Sequence, residues 1–252
     1  MTAERCKVVL QESWDKVVCN ISDGYFDLIY TDPPYGMSYV SNIPGDKRWN
    51  KSGSSKSSFL FPIHGDTKGG VDWSWLAREC FRLLKNDRYM FLHCNLNVLT
   101  NHVCHFEKAG FKMKGACSWN KTTSLGGDIS GAMKRDWEPL LYMTKGKPAF
   151  REVDVLRKGE TVKRRRISEI KDWKFVLPKS EQCRFPTQKP LALCKQVIQL
   201  ATDVGDVIFD PFAGSGSALV AAEQLGRDYL GSEIDPDAFR ILEGRLSHGK
   251  MV

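Results

Sequence analysis

What most constrains this chain is a repeated alternation of short apolar strands with helices, each strand cut off by a loop rich in proline or glycine. Phe26-Asp27-Leu28-Ile29-Tyr30 reads as a buried strand that stops at Asp32-Pro33-Pro34. An amphipathic helix follows over Asp72–Leu84, then the strand Tyr89-Met90-Phe91-Leu92 and a helix from about Val98 to Ala109. The alternation resumes after Pro190, with a helix to about Thr202 and the strand Val207-Ile208-Phe209. A glycine-rich turn, a helix over Ala218–Leu225 and the strand Tyr229-Leu230-Gly231 complete it. Parallel neighbours need crossover helices, so repeated βα units predict an α/β, doubly wound, largely parallel sheet with helices on both faces.

The rest of the chain departs from that rhythm in two places. Residues 36–70 are rich in Ser, Gly and Lys, centred on Ser52-Gly53-Ser54-Ser55-Lys56-Ser57-Ser58, and predict a long mobile loop on the substrate side of a strand end. Residues 120–184 are basic and irregular, and predict a recognition region inserted between two halves of one core, 1–119 and 185–252. Charge supports this division. Between Lys145 and Lys189 there are 14 Lys/Arg against 6 Asp/Glu, and the remainder of the chain is close to neutral although the whole carries +7. Clustered cations on one face suit a polyanion, so Lys163, Arg164, Arg165 and Arg166 are candidate DNA-binding residues, although a solvated stretch or an address signal could carry the same run.

Other classes are disfavoured. No apolar run is long enough to span a bilayer, and the polar Met1-Thr2-Ala3-Glu4-Arg5 leads directly into Val8-Val9-Leu10, so a cytoplasmic protein without membrane contact is expected. Eight cysteines occur without any CxxC pair, and the cluster His93, Cys94, His102, Cys104, His105 fits no zinc spacing; reduced thiols and no metal are expected.

Two strand ends carry the chemistry. Asp210-Pro211-Phe212-Ala213-Gly214-Ser215-Gly216 follows a buried strand and opens a helix, where small residues let a ligand approach the backbone. No Lys-Ser/Thr follows at P-loop spacing. The next strand ends at Gly231-Ser232-Glu233, and a carboxylate there can accept both hydroxyls of a ribose, which together describes a nucleoside pocket. Asp32-Pro33-Pro34-Tyr35 supplies what transfer to an aromatic amine requires. The lone pair of such an amine is delocalised into its ring. Two acceptors on its hydrogens, the Asp32 carboxylate and a Pro33 carbonyl fixed by Pro34, would localise it, while Tyr35 offers a face on which a flipped base can stack.

These segments resemble the beta group of S-adenosylmethionine-dependent DNA amino-methyltransferases. Asp32-Pro33-Pro34-Tyr35 is similar to its catalytic motif, Asp210 to Gly216 to its cofactor loop, and Phe185-Pro186-Thr187-Gln188-Lys189-Pro190 to the segment preceding that loop, in the order that marks the group. The resemblance implies a Rossmann-like methyltransferase fold and S-adenosylmethionine as cofactor. Thr187 and Lys189 would hold its methionine carboxylate, Asp210 its amino group, Phe212, Ala213, Gly214, Ser215 and Gly216 the pocket floor, Glu233 the ribose and Glu12 the adenine. The chain departs from the group's pattern at Phe185, where histidine is common, at Gln11-Glu12 in place of Gly-Asp, and at Arg135-Asp136-Trp137-Glu138 in place of Arg-x-His-Glu.

The reading implied is methylation of adenine N6 in double-stranded DNA after base flipping. N4-cytosine is the alternative, disfavoured because the cytosine enzymes more often carry Ser at the position of Asp32. A non-catalytic nucleotide- or DNA-binding protein is the rival of another class, and intact Asp32 and Tyr35 oppose it. No Pro-Cys pair exists for carbon-5 chemistry. A homodimer and a cognate restriction nuclease are the further partners that the resemblance suggests.

Overall fold

The structure, a computed structural model, describes residues 6–36, 40–43, 59–62, 64–67, 70–121, 136–183 and 185–248. Its main sheet has seven strands in the order β1-β11-β10-β2-β5-β7-β6. These are β1 (Lys7–Leu10), β2 (Phe26–Thr31), β5 (Leu84–His93), β6 (Lys112–Asn120), β7 (Trp137–Lys145), β10 (Val207–Asp210) and β11 (Asp228–Ser232). The five strands from β1 to β5 pair in parallel, and β7 and β6 add antiparallel at one side. The doubly wound, largely parallel expectation holds.

All six residues of β2 are buried, as a strand covered on both faces requires. Leu28 and Tyr30 pack with α4 (Leu191–Ala201) and α5 (Ser217–Gln224), whereas Phe26 and Ile29 pack with α2 (Trp73–Leu83). A short α1 (Trp14–Val18) and α3 (Leu99–Ala109) share the α2 face, and α6 (Pro236–His248) closes on α5. The predicted ends of α2 and α3 have local causes. Asp72 caps α2 by accepting the Trp75 N–H at 2.9 Å, and Gly110 ends α3 at φ 112°. The one acid in β2, Asp27, is paid for by its partners: Lys85 at 2.7 Å, Arg88 at 2.8 Å and the Val207 N–H at 3.1 Å tie β2, β5 and β10 together at their amino ends.

Two sequence expectations need correction. The segment 36–70 is not wholly irregular, because β3 (Val40–Ile43) and β4 (Phe59–Pro62) form an antiparallel ladder on either side of the Ser-rich centre. The apolar residues flanking that centre, Val40, Ile43, Phe59 and Phe61, suit a paired strand better than a solvated loop. The expected mobility of residues 44–58 lies outside the described residues. Likewise β7 falls inside the region 120–184 yet sits between β5 and β6 in the main sheet, so the core extends beyond residue 119. Its apolar run Pro139-Leu140-Leu141-Tyr142-Met143 is masked in the sequence by the basic residues around it. The rest of its described residues include a hairpin, β8 (Val153–Arg157) with β9 (Glu160–Arg164), and a coil that bonds alongside β6 through Ser118 N to Glu169 O at 2.7 Å and Asn120 N to Trp173 O at 2.8 Å.

Candidate active site

Strand polarity gathers the predicted motifs at one rim. The carboxyl ends of β2, β5, β10 and β11 lie together there, and the antiparallel pairing brings the start of β7 and the end of β6 to the same place. Thr31 at the end of β2 donates to Asp210 Oδ1 at the end of β10 over 2.7 Å, a bond between two loops far apart in sequence. Asp210 also accepts the Phe212 N–H at 3.1 Å. Its burial pushes the carboxyl up to about 7, against the lowering effect of the Thr31 and Phe212 bonds.

The Asp210–Gly216 loop turns on two glycines. Gly214 and Gly216 have φ of 52° and 75°, which favours glycine at both positions. A Cβ on Gly214 would stand 3.1 Å from the Phe185 ring, and one on Gly216 would collide with Leu242. Glu233 follows β11 and accepts the Gly214 N–H at 2.7 Å and the Asp235 N–H at 2.8 Å, with its carboxyl raised chiefly by burial. Ala213 and Ser215 are buried, Phe212 packs 6.0 Å from the Trp14 ring, and Thr187 is half-buried in the turn before α4. Arg245 on α6, which the sequence did not single out, clamps the loop through Ser215 O at 2.5 Å and Ser217 Oγ at 3.1 Å. Glu12 is nearby through its backbone, since Ser232 Oγ donates to its carbonyl at 2.6 Å. Its carboxylate instead accepts from the Ser13 N–H at 2.9 Å and Lys16 at 3.1 Å, turned to its own helix.

Beside Asp32 stands a network that joins Tyr35 and Lys189, both named by the motifs, to Glu138. Lys189 Nζ lies 2.6 Å from Asp32 Oδ2 and 3.0 Å from Glu138 Oε1, with the lysine side chain only 11% exposed. Tyr35 donates its hydroxyl to Asp32 Oδ1 at 2.6 Å, and Glu138 Oε1 lies 3.3 Å from the Tyr35 hydroxyl. The expected stacking face of Tyr35 is therefore oriented by its polar end. Glu138 also meets Lys121 at 2.6 Å and the buried His93 at 3.3 Å, and Tyr30 contacts His93 Nε2 at 3.1 Å. Although burial opposes it, the charges of Lys189 and Lys121 and the His93 bond hold the Glu138 carboxyl well below its ordinary value. Burial, with the Lys189 charge, pushes the His93 imidazole down. Burial and the two carboxylates push the Tyr35 phenol well up. Asp32, His93 and Glu138 have ligand atoms within 4.8 Å of one another, as a metal site would, but the Lys189 ammonium lies on both carboxylates.

The basic run is not brought to this rim. Arg165 lies in a cleft with Asp87, Arg88, Lys147 and Arg151. Register sets that cleft at the opposite end of the sheet, because Arg88 pairs with Lys145 whereas His93 pairs with Leu140. Five residues of strand separate the two ends, about 16 Å at the usual rise. Lys163 pairs with Asp154 at 3.6 Å and Arg165 with Glu152 at 3.4 Å. Arg164 registers with Val153, and Arg166 is exposed.

A family model described as DNA methylase matches residues 26–244. The chain belongs to this DNA methylase family. The methylase is 28% identical over 235 residues to the type II methyltransferase M2.DpnII of Streptococcus pneumoniae, covering 87% of this chain and 82% of the relative. It is 27% identical to the type II methyltransferase M.HindIII of Haemophilus influenzae over 86% of this chain and 88% of that one. Among solved structures, the S-adenosylmethionine complex of M1.HpyAVI superposes with a TM-score of 0.62 at 20% identity, covering 94% of the methylase and 98% of that chain. The cytosine-N4-specific PvuII DNA methyltransferase superposes at 0.69 with 14% identity, over 96% and 89% of the two chains. These two likenesses establish the shared fold. Among the described residues no helix is long and apolar enough to cross a membrane.

Proposed function

We propose that this methylase transfers the methyl group of S-adenosylmethionine to adenine N6 in duplex DNA. The observation that carries the reading is the Thr31–Asp210 bond, which joins the Asp32-Pro33-Pro34-Tyr35 loop to the Asp210–Gly216 loop at one rim. A base held by the first loop and a cofactor held by the second would meet there, with orientation and fixed dipoles lowering the barrier.

In this reading Asp32 accepts a hydrogen of the target amine, and Pro33, set by Pro34, offers its carbonyl to the other. Tyr35 stacks on the flipped base. Asp210 and Glu233 would take the amino group and the ribose of the cofactor. Gly214, with Ala213 and Ser215 beside it, leaves room for the ligand. When bound, the cofactor supplies an electrophilic methyl on a sulfonium. The chain's own part is to orient both partners and exclude water. Lys163 to Arg166, at the far end of the sheet, would act on DNA by long-range attraction. The type II names of the relatives support a modification enzyme paired with a restriction nuclease, working on DNA in the cytoplasm.

Digestion of DNA from a host expressing the methylase, followed by mass spectrometry of the nucleosides, tests the target. N6-methyladenine is expected. N4-methylcytosine as the main product would overturn the base assignment and leave the amino-group chemistry standing.

A further inference from the structure

We propose that Glu138 joins Asp32 as a second carboxylate acceptor for the target amine, and that the Lys189 ammonium occupies this box as a stand-in for that amine until the base enters. The inference rests on the reading of Asp32 as an amine acceptor and extends it to a second residue and to a closed state of the site.

The geometry around Lys189 Nζ is that of an amine pocket. Asp32 Oδ2 and Glu138 Oε1 converge on the one nitrogen at 2.6 and 3.0 Å. The Trp119 ring lies 5.5 Å from it, centroid to nitrogen. The other oxygen of each carboxylate has its own partner, Tyr35 on Asp32 Oδ1 and Lys121 on Glu138 Oε2. The remaining two oxygens converge on the ammonium, Glu138 Oε1 lying also 3.3 Å from the Tyr35 hydroxyl and from His93 Nδ1. An exocyclic amine has two hydrogens and would satisfy one acceptor with each, Glu138 Oε1 taking the second hydrogen in place of the Pro33 carbonyl. Lysine suits the role of stand-in, because its ammonium rides on a flexible four-carbon stem that can swing aside. Both carboxylates are partly screened from water, at 22% and 15% side-chain exposure, so an empty box would leave two acids close together with Lys121 as their nearby cation.

The box also suits the transfer. As the amine lone pair forms the N–C bond, the electrons of the C–S bond return to sulfur, which becomes a neutral thioether. The nitrogen gains positive charge, and two carboxylates stabilise it where a carbonyl and one carboxylate would do so less. The surplus proton then leaves to water. Lys189 in its observed position blocks this arrangement, since its nitrogen and the target nitrogen would occupy the same space.

Mapping the methylated site first supplies the DNA for the test and confirms that the target is an exocyclic amine. If it is not, or if Asp32→Ala transfers at the wild-type rate, the underlying reading fails and the failure is recognised at that step. Two duplexes carrying the mapped site are then compared, with the target position opposite an abasic site and holding either adenine or unsubstituted purine. If the mapped base is cytosine, cytosine and 2-pyrimidinone take their place. Fluorescence anisotropy without cofactor should give wild-type affinities for the two within about two-fold, because Lys189 fills the box. Lys189→Met should bind the amine-bearing duplex about ten-fold more tightly than its partner, the preference that a hydrogen bond to a charged group allows at its low end. Adding Glu138→Gln to that variant should remove most of the preference. Parity in Lys189→Met, or a preference that survives in the double variant, overturns the proposal. Should Lys189→Met fail to fold, Lys189→Ala is measured in the same way, alone and with Glu138→Gln: a preference for the amine-bearing duplex that Glu138→Gln removes supports the proposal, and parity in Lys189→Ala or a preference that survives Glu138→Gln overturns it.

Discussion

Replacing Thr31 by Val keeps the shape of the side chain and deletes the hydroxyl that bonds Asp210 across 2.7 Å. That bond favours the charged carboxylate, so its loss must raise an acid that burial already holds at about 7. A hydrogen bond to a charged group contributes roughly 1.5–3 kcal/mol, which corresponds to a rise of roughly one to two units. If Asp210 must be ionised to hold the cofactor's amino group, affinity for S-adenosylmethionine should climb through an inflection near 7 in the wild type. In Thr31→Val the inflection should move up by that amount, and affinity at neutral pH should fall by about five-fold or more. Isothermal titration calorimetry across the pH range, with circular dichroism as a check on folding, measures both. Stability should move the opposite way with pH. An acid whose folded value lies above its unfolded one binds more protons in the folded state between the two values, so this group's contribution is present at low pH and is lost as pH rises toward 7. A folded Thr31→Val protein with an unshifted inflection would refute the role of Asp210.

Asp32→Ala should keep cofactor affinity and lose at least about ten-fold in methyl transfer, from the same class of bond, measured by tritium incorporation into DNA. Gly214→Val should bind the cofactor poorly and unfold more easily by about 1–2 kcal/mol, because a β-branched residue must enter the left-handed region and meet Phe185; calorimetry and thermal melts read the two effects. Alanine at Arg164, Arg165 and Arg166 should slow DNA association at low salt and leave the turnover at saturating DNA unchanged, because Arg165 lies at the far end of the sheet; a loss of turnover at saturation would place the run at the catalytic rim after all.

The sheet and both of its loops could be read from sequence because each depends on a local pattern. A buried strand followed by Asp32-Pro33-Pro34, or by Asp210 to Gly216, announces its own end, and Glu233 is identified by the strand before it. The Glu138 network depends on no such pattern. His93, Lys121 and Glu138 meet only because β7 runs antiparallel between β5 and β6, and pairing partners are a tertiary choice, as is the placing of Lys189 against them. One hint was available: His93 follows directly on an apolar run, where a polar residue needs a partner. The place of the basic run was not legible for a related reason. Composition shows that cations are clustered but not which end of a sheet they reach, and the hairpin β8–β9 attaches beside Arg151 and Glu152 rather than beside Asp32.

The pairing of β10 with β2 sets when this protein can first become an enzyme. Leu28 faces Ile208 and Ile29 faces Phe209, so the two halves of the centre are made far apart in translation. Thr31 can find Asp210 only after the 179 positions that separate them have been made. Closing so large a loop carries an entropy cost that no local contact can offset early. The growing chain thus exposes Asp32 long before it has anywhere to hold a methyl donor, and a prematurely ended product lacking β10 would be silent toward the genome.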